Sequence, residues 1–288
     1  MKTNYYKIIL VFMFVIVCPH EFINAQSNES EAILYNIGIA SIFSGIGAVI
    51  NKKQDEDFNK VFLKGLAQGA VGGAVVYKSK TLLRNISDEK DLGYSWPAKL
   101  VNSLGISIIE NASLNRNFWE QVNVHIGFNR IEIHTTEKIK IRYKLMPAAF
   151  LLTVEAAIDN KFEIEKSLKA GEFIFSSNNF QTNQDVLRMG EAGGPAIVLN
   201  DSYKDSFQVF SHELVHVYQY NNFIFFNSYL KKPLERQSTN SNFLQKLQNI
   251  VYWDFHAPIY LGLYNIEKKR SQTNFDNWFE KEAEYYSN

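Results

Sequence analysis

His212-Glu213-Leu214-Val215-His216 is the stretch of this 288-residue chain whose residue types and spacing can do chemistry. On a helix, residues four apart share a face with Cβ atoms about 5–6 Å apart, so both imidazoles can reach one cation. Two neutral imidazoles suit zinc, which takes nitrogen ligands tetrahedrally and leaves a position for water. Glu213 projects beside the pair without being needed as a ligand, where a general base for that water belongs. Phe207, Val209, Phe210, Leu214, Val217 and Tyr218 place bulky apolar groups around the motif and predict a helix buried in a domain. The competing reading of the same residues is a core helix whose histidines are only hydrogen-bonded.

A third ligand decides between these readings. Trp278 to Ser287 reads as a short terminal helix with acids on one side. Here the chain resembles the gluzincin metallopeptidases, whose third zinc ligand is a glutamate on a helix downstream of the His-Glu-x-x-His helix. Glu280-x-x-Ala283-Glu284 is similar to the Glu-x-x-Ala-Asp form of that helix, with Glu replacing the final Asp. The resemblance covers the two motif helices and the strand before them, and the overall style looks like secreted zincins of Bacteroidetes. It implies one Zn2+ per chain held by His212, His216 and Glu280, with Glu284 holding a zinc-bound histidine, and hydrolysis of a peptide bond. Glu282 competes with Glu280 but points to another face of the helix, and a solvated acidic tail is the bland alternative. The small Ala283 lets the terminal helix approach the motif helix closely. The resemblance also calls for a Tyr or His that stabilises the oxyanion, a role His256 or Tyr260 could fill. It further implies a sheet edge that binds an extended peptide as an added strand. Ala196-Ile197-Val198-Leu199 is the candidate edge, with an interior strand as the alternative.

The elements that must position these groups read as α+β: a gluzincin-type zincin domain with a mixed or antiparallel sheet over residues 92–288. A glycine-rich helical hairpin at 26–80 and a polar connector at 81–91 precede it. Ile33 to Ile50 is an uncharged run of 18 residues, at the lower end of the roughly 17–25 needed to cross a bilayer. Val61 to Tyr77 carries Gly65, Gly69 and Gly73 at intervals of four, a flat stripe that lets another helix approach backbone to backbone. The hairpin either enters lipid or docks on protein, so residues 33–77 are where a membrane or envelope-complex partner could bind.

After Trp96-Pro97 a helix runs to about Asn111, with Leu100, Val101, Leu104, Ile108 and Ile109 on one face. Val122, Val124, Ile126 and Phe128 alternate with polar residues, as do Ile131 with Ile133 and Ile139 with Ile141 and Tyr143. They predict antiparallel strands with the apolar face buried and His125 and His134 at the surface or an edge. Further helices are expected at Pro147 to Ile158 and Asn242 to Tyr252, and short strands at Gly171 to Ser177 and Ala196 to Asn200. Gly190 to Pro195 reads as a loop. Phe223 to Phe226 could line a substrate pocket, cover the core or face a membrane.

Residues 1–25 have the layout of a secretory signal peptide: Lys2 and Lys7, an apolar Ile8 to Val17, and Ala25 before a polar stretch. An uncleaved anchor is the alternative. These features predict an exported protein of the bacterial periplasm or outer-membrane surface. Cys18 is the single cysteine, so a mature chain holds together by packing alone. Thirty basic and thirty acidic side chains, scattered along the chain, give zero net charge and argue against nucleic acid as a partner. The function expected is zinc-dependent peptide hydrolysis. The rivals are a catalytically idle zinc-binding scaffold and a structural envelope protein with an accidental motif.

Overall fold

In the computed structural model, residues 29–180, 189–238, 241–271 and 277–288 are described; the expected signal peptide lies outside them. The chain opens with helices α1 (Glu29–Asn51) and α2 (Phe58–Asp88), the latter capped by Asp57, which accepts from Lys60 N. They form the expected hairpin. A Cβ on Gly69 would sit 2.5 Å from the Ala40 carbonyl oxygen, and Gly65 and Gly73 face α1 at similarly close range. The stripe is therefore a contact surface, and Gly73→Val is expected to cost about 1–3 kcal/mol through overpacking, measured by denaturant unfolding.

α1 is long and apolar enough to cross a membrane, and in this fold it lies against protein. Its buried Asn51 donates to the carbonyls of Gly47, Ser113 and Ser228, partners on three different helices. The connector expected at 81–91 is not a boundary. α2 continues through it to Asp88, and Leu83 and Ile86 are fully buried with Ala32, Ala98, Phe210, Leu214, Ala283 and Tyr286. Its polar residues are the outer face of two amphipathic turns, which a count of charges mistakes for a linker. The hairpin and the two motif helices share one core.

α3 (Ser95–Ser113) leads into an antiparallel meander, β1 (Gln121–Ile126), β2 (Asn129–His134) and β3 (Lys140–Leu145). The strands fall where the alternation predicts, but the buried face is the polar one. Gln121, Asn123, His125, Arg130 and Glu132 point inward, while Ile139, Ile141 and Tyr143 are exposed. α3 is inverted in part: Leu100 and Leu104 face out and Ser103, Ser107, Glu110 and Asn111 face in, while Ile109 of the expected face is buried with Ile106. The reversal holds because the two polar faces satisfy each other. Asn123 donates from its backbone N–H to Ser107 Oγ and from Nδ2 to Glu110 Oε2, each at 2.8 Å. Arg130 reaches both carboxylate oxygens of Glu110, Glu132 Oε1 and His125 Nε2 at 2.9–3.0 Å. His125 is thus a core residue rather than a surface one, and burial, then the Arg130 charge, hold its pKa well below the usual histidine value.

α4 (Pro147–Ala157), β4 (Lys161–Phe162), α5 (Ile164–Ala170), β5 (Phe173–Ser177), β6 (Gly190–Ala192) and β7 (Ala196–Asn200) follow. Their mixed sheet has the order β4-β5-β7-β6, with β5 and β7 parallel and the outer pairs antiparallel. Ala196, Ile197 and Val198 therefore lie on an interior strand, not the edge. Among the described residues the sheet ends at β4 and β6; β6 lies within the stretch read as a loop, where three residues with one Gly give no alternation to detect. The remaining elements are α6 (Phe207–Asn222), α7 (Phe225–Ser238), α8 (Asn242–Ile250), α9 (His256–Arg270) and α10 (Trp278–Ser287). Phe223, Ile224, Phe225 and Phe226 are buried and cover the core, in a cluster with Tyr220, Tyr260 and Phe279.

Candidate metal centre

α6 carries the motif. Ser206 caps its first turn by accepting from Val209 N, and nearly every side chain from Val209 to Asn221 is buried. His212 is the partly exposed exception, on the side where α10 arrives. Asn277 caps α10 by accepting from Phe279 N at 2.9 Å. Ala283, fully buried, lets the two helices close together as its size suggests. α2 braces both: Ser211 Oγ donates to Leu83 O at 2.8 Å, and Arg84 donates to Tyr285 O at 2.6 Å.

This packing brings His212, His216 and Glu280 to one point. Their ligating atoms form a triangle: His212 Nε2 to Glu280 Oε2 is 3.2 Å, His216 Nε2 to His212 Nε2 is 3.2 Å, and His216 Nε2 to Glu280 Oε2 is 3.5 Å. The group could hold a metal ion, and among the described residues it is the one cluster of three such side chains found. These edges bracket the separation of about 3.3–3.4 Å between ligands held tetrahedrally at about 2.0–2.1 Å. Calcium, which takes six to eight oxygens, does not suit two imidazoles.

The surrounding groups fix each ligand. His216 Nδ1 lies 2.7 Å from Gln219 Oε1; an amide oxygen only accepts, so the ring proton sits on Nδ1 and Nε2 is left free for a cation. The Tyr264 hydroxyl donates to Glu280 Oε1 at 2.6 Å, leaving Oε2 for the triangle. Burial raises the Glu280 carboxyl. The His212 and His216 rings, when they carry a proton on Nε2, override that effect and hold it well below the usual carboxylate range. Glu213 is nearly fully buried and its Oε2 has no hydrogen-bond partner among the described residues; burial pushes its pKa up, against the lowering pull of His212 and His216. β6 lies directly over it, since a Cβ on Gly190 would come within 2.7 Å of Glu213 Oε1.

The other expected residues divide. Glu284 Oε2 is 3.9 Å from His212 Nδ1 and half exposed, close to the ring but beyond hydrogen-bond length. Glu282 is no ligand; it is fully buried and paired with Lys80. His256 is a fully buried core residue whose Nδ1 is 2.9 Å from Asn227 and whose ring packs on Tyr220. None of its described contacts reaches the triangle. Burial, then the Arg130 charge, bring its pKa down to about 3, so it stays neutral. Tyr260 is also core, packed on Phe223 and Phe279. Sequence reasoning missed Tyr264, one turn beyond Tyr260 on α9; the only available signal was that four-residue spacing. Removing the hydroxyl in Tyr264→Phe is expected to weaken zinc binding about tenfold, the lower end for lost outer partners of a metal site, as read by chelator competition.

No family model matches the chain, and no curated protein or solved structure does so either.

Proposed function

We propose that the chain is an exported zinc-dependent peptidase of the gluzincin type, with His212, His216 and Glu280 as ligands. The observation that carries this reading is the triangle itself, closed by residues 68 positions apart in sequence at the spacing of a tetrahedral ion. Zinc bound there supplies Lewis acidity, lowering the pKa of water towards about 7 and polarising a substrate carbonyl. Glu213 takes the proton as the water oxygen bonds to the carbonyl carbon, and delivers it to the nitrogen as the C–N bond breaks. Its burial favours this role, because a carboxylate with a raised pKa holds a proton more readily between the two transfers. β6, the edge strand against Glu213, offers backbone groups to an extended peptide. Export rests on the signal-peptide layout of residues 1–25.

The test is metal content and cleavage together. Purified protein is expected to contain one zinc per chain and to cut a mixed peptide library, with a chelator stopping cleavage and added zinc restoring it. Protein without zinc sinks the reading, as does cleavage indifferent to chelation. One tightly held zinc with no cleavage under any condition identifies the idle scaffold instead.

A further inference from the structure

We propose that the N-terminal hairpin is a working part of the metal centre, with Lys80 acting through Glu282 and Gln219 as positioning residues for His216. The inference rests on His216 being a metal ligand. It begins with a polar chain that has no exposed member: Lys80 and Glu282 are fully buried, and Gln219 and Asn36 are nearly so. Gln219 Oε1 faces His216 Nδ1 at 2.7 Å. The orientation of this amide is forced from the other end, where its Nε2 donates to Glu282 Oε2 at 2.9 Å and Phe279 O at 2.8 Å. Rotating the amide by half a turn would put an N–H against His216 Nδ1 and an oxygen against two acceptors. That rotamer drives the ring proton to Nε2, the nitrogen needed for the cation.

Glu282 accepts from Gln219 at Oε2 and from Lys80 and Asn36 at Oε1, and a carboxylate at zero exposure needs a counter-ion. Lys80, on α2 of the hairpin, supplies it at 2.6 Å. All three ammonium protons are used: Glu282 Oε1, Asn36 Oδ1 at 3.0 Å, and Asn222 Oδ1 at 2.9 Å once that amide is oriented to donate to Tyr218 O. Asn36, on the other hairpin helix, also donates to Glu282 Oε1 at 3.2 Å. The hairpin therefore supplies both the charge and a hydrogen bond on which the orientation of a ligand depends. Removing the hairpin would strip Glu282 of its counter-ion Lys80 and of its Asn36 donor.

Zinc affinity by chelator competition tests this on the full chain, with hydrogen exchange reporting the fold. Gln219→Leu is expected to weaken zinc binding about 10–100-fold, the range for lost outer partners of a metal site. Lys80→Met is expected to weaken it similarly, and Lys80→Met with Glu282→Gln to recover most of the loss, since a neutral amide still accepts from Gln219 without a counter-ion. Arg84→Met removes a different tie between hairpin and α10 and is expected to leave affinity within about twofold. Should Lys80→Met not fold, Gln219→Leu and the double variant carry the test. Wild-type affinity in Gln219→Leu, or equal losses in Arg84→Met and Lys80→Met, overturns the relay while the metal centre stands. A wild-type protein that binds no zinc overturns the metal centre itself.

Discussion

Glu213→Gln is expected to bind zinc as tightly as the parent and to cleave peptides about a hundredfold to ten-thousandfold more slowly, the range for loss of a positioned general base. The side chain is not one of the triangle's three ligands, so removing its charge leaves the ligand set intact. Gln has nearly the same shape, which matters where β6 leaves no room above Oε1. The Oε2 position, without a hydrogen-bond partner among the described residues, can accept an amide group without breaking an existing hydrogen bond. Stability is therefore expected to hold or to rise slightly, because the carboxylate it replaces is desolvated. Rate and zinc content measured on one preparation separate the roles. A parental rate in this variant removes Glu213 from the chemistry, and lost zinc would make it a ligand.

Arg130→Met is expected to cost about 3–5 kcal/mol of folding stability, the scale for breaking a buried ion network by removing one partner. Arg130 is fully buried, shared by Glu110 and Glu132, and lies 3.7 Å over the Tyr252 ring. The network extends past it, since Tyr252 donates to Glu110 Oε1 at 2.9 Å and accepts from Asn227 at 3.0 Å. Asn227 in turn positions His256. Without the guanidinium, Glu110 loses its ion pair in the interior and Glu132 keeps only Lys144 at 3.5 Å and His134 at 3.7 Å. Adding Glu110→Gln and Glu132→Gln is expected to return part of the loss, because neither carboxylate is then left buried without its arginine. Denaturant unfolding of the parent, single and triple variants measures this. A single variant within about 1 kcal/mol of the parent, less than a typical buried network loss, would show that the network adds little to stability.

The sequence determined by itself whatever depended on local periodicity and residue type. Residues four apart place His212 and His216 together on any helix, and glycines at 65, 69 and 73 make a flat stripe wherever that helix lies. The alternation of Val122 to Tyr143 fixed the strands in the same way. It could not fix which face was inside, because that depends on what packs against the sheet, and α3 presents Ser107, Glu110 and Asn111. The same limit explains the connector that became helix core, the edge assigned to β7 in place of β6, and His256 placed near the metal when it lies in the core. Each was a question of neighbours distant in sequence. Only the tertiary structure brought α10 against α6 to set Glu280 beside the two imidazoles, and α2 against both to set Lys80 on Glu282. Spacing along a chain says which groups share a face; which faces meet is decided by packing and by the pairing of every buried charge.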